Sequence, residues 1–315
     1  MKHSLRIVVL LILFFFLSQV IGLFVVSKYL QVQEVSKTDL LTNETYIVNE
    51  TVALELPNNI ARPEFESSTA FIAYLVAAIL ITTILFLFLV KFRTFMLWKI
   101  WFFFAVFLCL TVALASFIPN ILATAIGLIL AFWKIFKPNI FVHNITEVFI
   151  YGGLAAILVP IGIVNVSAMI ILLLVISVYD AYSVWRSKHM VKMAQFQAQS
   201  KIFAGLLVPY KKEKKDEVKI TSKGKVKIEG IKTAILGGGD IAFPLMFAGA
   251  VLKSLMIGSL FYIAFLKTLI VPLFAGVALL LLFVKGREDR FYPALPFLTA
   301  GCLIGYGVLL LVNFI

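Results

Sequence analysis

Long apolar runs separated by short polar breaks make up most of this chain. The runs near 5–27, 68–90, 100–118, 121–137, 146–163, 165–185, 235–252, 258–284 and 293–313 approach or exceed the roughly 20 residues that a helix needs to cross a bilayer. The pattern predicts an all-α polytopic membrane protein with nine transmembrane helices. The first run follows Lys2 and Arg6, as a secretory signal would. Its length through Val26 and the lack of a small-residue cleavage site predict an uncleaved span instead.

The polar breaks set the orientation. With the N-terminus in the cytoplasm, the loops alternate, and the breaks at 91–99, 134–145, 186–234 and 285–292 fall on the cytoplasmic side. All 28 Lys and Arg residues then lie on that side except Lys28, Lys37, Arg62, Lys253 and Lys267. Such asymmetry orients membrane proteins. It predicts an external C-terminus. The organisation expected is a five-span bundle over 1–163, a sixth span over 164–185, a basic cytoplasmic loop over 186–234 and a three-span part over 235–315.

Composition agrees. The chain is 62% hydrophobic, carries 30 Phe, and has a mean hydropathy of +1.05, which excludes a soluble domain. The net charge of +12 resides in loops on one face, which is membrane topology rather than a nucleic-acid footprint. Cys109 and Cys302 sit in apolar runs, and His3, His143 and His189 are scattered, so neither a disulfide framework nor a metal site is expected.

The loops carry further signals. The 28–67 loop is polar, acidic and external, with sequons at Asn43 and Asn49. Within 186–234, Ile202-Phe-Ala-Gly-Leu-Leu-Val-Pro209 is too short to span and reads as an interfacial or re-entrant piece. Val218–Thr221 and Val226–Ile228 alternate apolar and basic residues around Ser222-Lys-Gly-Lys225, a hairpin pattern. In the last run, Gly301, Gly305 and Gly307 permit close helix packing inside one bundle.

Two carboxylates break the apolar pattern. Asp180 lies in Ile171-Leu-Leu-Leu-Val-Ile-Ser-Val-Tyr-Asp180, and Asp240 in Ile235-Leu-Gly-Gly-Gly-Asp240. A carboxylate in hydrocarbon costs at least about 2.5–3.5 kcal/mol, so each demands a function or a partner. Asp180 precedes Arg186 by roughly 9 Å of helix, and Asp240 follows Lys232 by roughly 12 Å. Both therefore reach a similar depth from the cytoplasmic side. Two close carboxylates in low dielectric share one proton. That pair activates water for attack on a carbonyl, and no cofactor or metal is required. Gly237, Gly238 and Gly239 leave room for another backbone beside Asp240, and Pro244 loosens the same helix. Tyr292-Pro-Ala-Leu-Pro296 opens the ninth run on the same side, where Pro suits either a helix start or an extended stretch bordering a substrate.

These residues match a known pattern. Val175-Ile-Ser-Val-Tyr179-Asp180, Gly237-Gly-Gly-Asp240 and Pro293-Ala294-Leu295-Pro296 resemble the Tyr-Asp, Gly-x-Gly-Asp and Pro-Ala-Leu motifs of presenilins and signal peptide peptidases. The form of the motifs and the short length look like a prokaryotic or archaeal presenilin homologue. The resemblance covers the sixth to ninth spans and implies an intramembrane aspartyl protease. Its catalytic residues would be Asp180 and Asp240. Tyr179, Gly237, Gly238, Gly239, Pro293, Ala294 and Leu295 would shape the site. Gly238 stands where presenilins commonly carry Leu, a departure that bears on cleavage preference. The implied partners are transmembrane substrates and the lipid bilayer, the plasma membrane in a prokaryote. Without the motifs, a secondary transporter or ion channel relaying protons through Asp180, Asp240 and Lys267 is the alternative.

Overall fold

The structure is a computed structural model that describes residues 5–38, 45–92, 94–187, 196–197, 202–212, 227–228, 231–286 and 292–314. Ten helical segments carry the apolar runs. They are α1 (Leu5–Ser27), α2 (Ser68–Phe92), α3 (Phe95–Ala115), α4 (Asn120–Phe136), α5 (Ile140–Leu158), α6 (Val166–Tyr182), α7 (Gly238–Leu255), α8 (Phe261–Thr268), α9 (Ile270–Lys285) and α10 (Leu295–Phe314). Helices α8 and α9 form one span of 25 residues, broken at Leu269. Pro272 explains the break, since it offers no N–H to the carbonyl four residues back. Among the described residues, eight helices are then long and apolar enough to cross a membrane, and α4, with 17 residues, is a shorter apolar helix.

α1 and α7 form the centre of the bundle. Phe15, Ser18, Gln19 and Leu23 of α1 are fully enclosed, and every residue of α7 from Pro244 to Lys253 is buried. The two helices approach closely at Gly22, where an added Cβ would stand 2.3 Å from a Leu245 methyl. Gln19 donates to the Ile241 carbonyl at 3.0 Å, beside the start of α7. By contrast α2 buries only Phe71, Phe86 and Leu89, so most of its surface faces outward. Lys253, expected at an external loop, is buried instead. Its ammonium donates to the carbonyls of Ile161 and Val164 at 2.6 and 3.0 Å and so satisfies backbone groups of the connection between α5 and α6. The glycines of α10 pack within the bundle: a Cβ at Gly301 would meet the Phe274 carbonyl at 2.7 Å, and one at Gly305 the Val271 backbone at 3.0 Å.

The expectation of an all-α chain is corrected by two small sheets. β1 (Leu30–Thr38) and β2 (Thr45–Ala53) form an antiparallel ribbon in the polar 28–67 loop. Asn49 lies on β2, whereas Asn43 is outside the described residues. β3 (Gly205–Lys212), β4 (Lys227–Ile228) and β5 (Ile231–Gly237) form a second sheet in the order β3-β5-β4. The supposed interfacial piece is thus mostly strand, because its apolar residues pair with β5. The seventh run does not begin as helix at Ile235: residues through Gly237 are strand, and α7 starts at Gly238. The expected partner strand Val218–Thr221 lies outside the described residues, and Lys227–Ile228 pairs with β5.

Candidate active site

Asp180 stands near the end of α6, one turn before a π-helical segment at Ser183–Ser187. Its side chain is 6% exposed. One carboxylate oxygen accepts the backbone N–H of Leu295 at 3.2 Å. One turn earlier on α6, the Ser177 hydroxyl lies 2.6 Å from that of Thr299. Two polar contacts thus join α6 to the start of α10. Pro296 sits in the first turn of α10, where a missing N–H costs nothing. Of Pro293-Ala-Leu295, Pro293 and Leu295 are buried and Ala294 is partly exposed. Tyr179 points elsewhere: its hydroxyl is 2.8 Å from that of Thr83 and ties α6 to α2.

Asp240 is the third residue of α7 and is partly accessible. Its carboxylate lies against Gly237, the residue capping the helix. The helices that carry Asp180 and Asp240 pack against each other, and the two carboxyls are near enough to interact electrostatically. The three glycines differ. A Cβ at Gly237 would lie 3.2 Å from an Asp240 oxygen, and one at Gly238 only 2.6 Å from the Tyr151 hydroxyl. One at Gly239 would meet nothing nearer than 3.5 Å, and Gly239 is exposed. The open approach to Asp240 therefore runs over Gly239.

A polar cluster that the sequence reading spread over the end of the fourth run, the break after it and the start of the fifth run lies next to this site. Glu147 is 1% exposed and pairs with Lys134 at 2.7 Å. Lys134 also donates to His143 Nδ1 at 3.0 Å and Thr146 Oγ1 at 3.2 Å. Tyr151 donates to the second Glu147 oxygen. The missed signal is Pro138-Asn139. Asn139 caps α5, accepting from the Phe141 N–H at 2.8 Å, so the turn is short and His143, Asn144 and Glu147 are helical.

Residues 21–315 match the family model described as signal-peptide peptidase, presenilin aspartyl protease. The chain belongs to this family of aspartyl proteases. Two solved structures of a presenilin family intramembrane aspartate protease share its fold. One, in space group C222, is 18% identical, with a TM-score of 0.60 over 97% of this chain and 99% of that one. The other, in space group P2, is 19% identical, with a TM-score of 0.55 over 96% of each chain. No curated protein matches the chain. This presenilin-family protein is thus a multi-pass integral membrane protease, and the transport alternative finds no support.

Proposed function

We propose that the chain hydrolyses peptide bonds within transmembrane segments of membrane-protein substrates, with Asp180 and Asp240 as its catalytic pair. The observation that carries this reading is the convergence of three separated motifs at the end of α6 and the starts of α7 and α10. Asp180 accepts from Leu295, Asp240 opens α7 beside it, and glycines keep the approach clear. In the reaction the ionised carboxylate takes a proton from water as the water oxygen bonds to the scissile carbonyl carbon. The protonated partner gives its proton to the carbonyl oxygen. Collapse of the resulting diol breaks the C–N bond, and a proton passes to the amine.

The substrate must lose its own helical hydrogen bonds before its carbonyl is reachable. The sheet supplies replacements. β4 pairs only with Ile231 and Lys232, so the same edge of β5 over 233–237 is unpaired among the described residues and leads to Asp240. An unwound segment adds there as a strand, with backbone bonds that demand no single sequence. Nine spans with a cytoplasmic N-terminus put this edge on the cytoplasmic side, α4 counting as the fourth. In that arrangement 1–163 is the supporting bundle, and 164–185 with 235–315 carries the chemistry.

The test is incubation of the purified chain with a single-span substrate, with and without an aspartyl transition-state analogue. Cleavage that the analogue blocks supports the reading. An intact substrate under conditions where the chain is folded would overturn it.

A further inference from the structure

The buried cluster on α4 and α5 has no part in the chemistry above, yet its side chains reach the sheet in an ordered way. β3 pairs with β5 through alternate residues. Leu206 faces Leu236, Val208 faces Ala234, and the Gly238 N–H reaches the Ala204 carbonyl at 3.2 Å. In an antiparallel ladder the intervening residues, Gly205 and Leu207, point their N–H and C=O groups to the opposite edge. Side chains of α5 meet all four of those groups. Glu147 accepts the Gly205 N–H at 3.1 Å, and His143 Nε2 donates to the Gly205 carbonyl at 2.7 Å. Asn144 accepts the Leu207 N–H at 2.9 Å and donates to the Leu207 carbonyl at 2.7 Å. The Lys134 bond to Nδ1 leaves Nε2 as the donor, so the ion pair also fixes the histidine tautomer.

We propose that His143, Asn144 and Glu147 act as a substitute edge strand: they close the outer side of β3 and hold the sheet in the register that delivers Asp240 to Asp180. These are positioning residues, and the proposal rests on the protease reading. Two consequences follow for the reaction. Strand addition is confined to the β5 edge, because every outward-pointing group of Gly205 and Leu207 is occupied. The start of α7 is also fixed from behind, since Tyr151, bonded to Glu147, stands directly against Gly238.

The experiment uses the full chain in detergent or liposomes with a single-span substrate. The variants are Asn144→Ala, His143→Ala and His143→Gln, the last retaining a donor near the Nε2 position. Kinetics are taken per folded molecule, from the monodisperse fraction. Loss of the buried hydrogen bonds that align the site, one to the strand in His143→Ala and two in Asn144→Ala, is expected to lower kcat about tenfold or more in each alanine variant. KM should change less than about twofold, and His143→Gln should recover most of the loss. A purely structural role would reduce the yield of folded protein but leave kcat per folded molecule at the wild-type value, and that result overturns the proposal. Should Asn144→Ala fail to fold, the pair at His143 decides alone: equal kcat in His143→Ala and His143→Gln would also overturn it. Wild-type protein without activity would instead sink the protease reading.

Discussion

Replacing Asp180 or Asp240 with Asn keeps the shape of the carboxyl and removes the shared proton. Each change is expected to lower turnover by about a thousandfold or more, and the double variant should be no worse than either single one. Peptide-release kinetics with circular dichroism as a folding control check this, and turnover near wild type in either single variant would rule out the pair. These two residues were legible because nothing near them in sequence is charged. Glu147 and Lys134 were not, because they sit within a turn of the ends of their apolar runs, where a charge is unremarkable in sequence. The glycines needed coordinates as well. Sequence alone treats the three glycines before Asp240 alike, but the space is tightest at Gly238. Gly238→Ala should cost about 1–3 kcal/mol of stability and most of the activity, because Tyr151 is held by Glu147 and cannot retreat freely. Gly239→Ala should leave stability close to wild type and cost less activity than Gly238→Ala, since its Cβ has room. Thermal melts and kcat of the two variants make the comparison, and equal effects would contradict it.

At the scale of elements, helices were read well where apolar runs were long. The sheets were not. β1 alternates apolar and polar residues only over Leu30–Gln33, β2 does not alternate, and both lie in a loop whose charge dominated the reading. β3 and β5 are strongly apolar and merge in sequence with interfacial or helical segments, a known ambiguity of short runs. The parity of β5 now yields a sharp test. Ala234 and Leu236 face β3, so the N–H of Ile235 points to the free edge. Ile235→Pro removes one donor from that edge and leaves the β3 ladder intact. It should raise KM about tenfold, with a melting temperature within a few degrees of wild type. Ala234→Pro breaks the internal ladder and should destabilise the chain instead. Equal behaviour of the two would argue against strand addition at β5.

For the molecule as a whole, the family and the helical bundle follow from the motifs and the long apolar runs. The expected site of cleavage is off-centre, toward the cytoplasmic side of the substrate span. Mass spectrometry of the first products checks it, and initial scission near the external face would contradict the proposed orientation. One feature of the fold refines that expectation. β5 ends at Gly237 and α7 begins at Gly238, with no residue between strand and helix. A segment paired to β5 is therefore in fixed step with Asp240. The protease then measures its substrate by counting residues from the paired segment, as a ruler does, and not by sensing depth below the headgroups. The same substrate reconstituted in short-chain and long-chain lipids should be cut at the same peptide bond, although its span sits at different heights in the two bilayers. A cut that shifted along the sequence with bilayer thickness would mean that the lipid, rather than the strand, sets the position of the scissile bond.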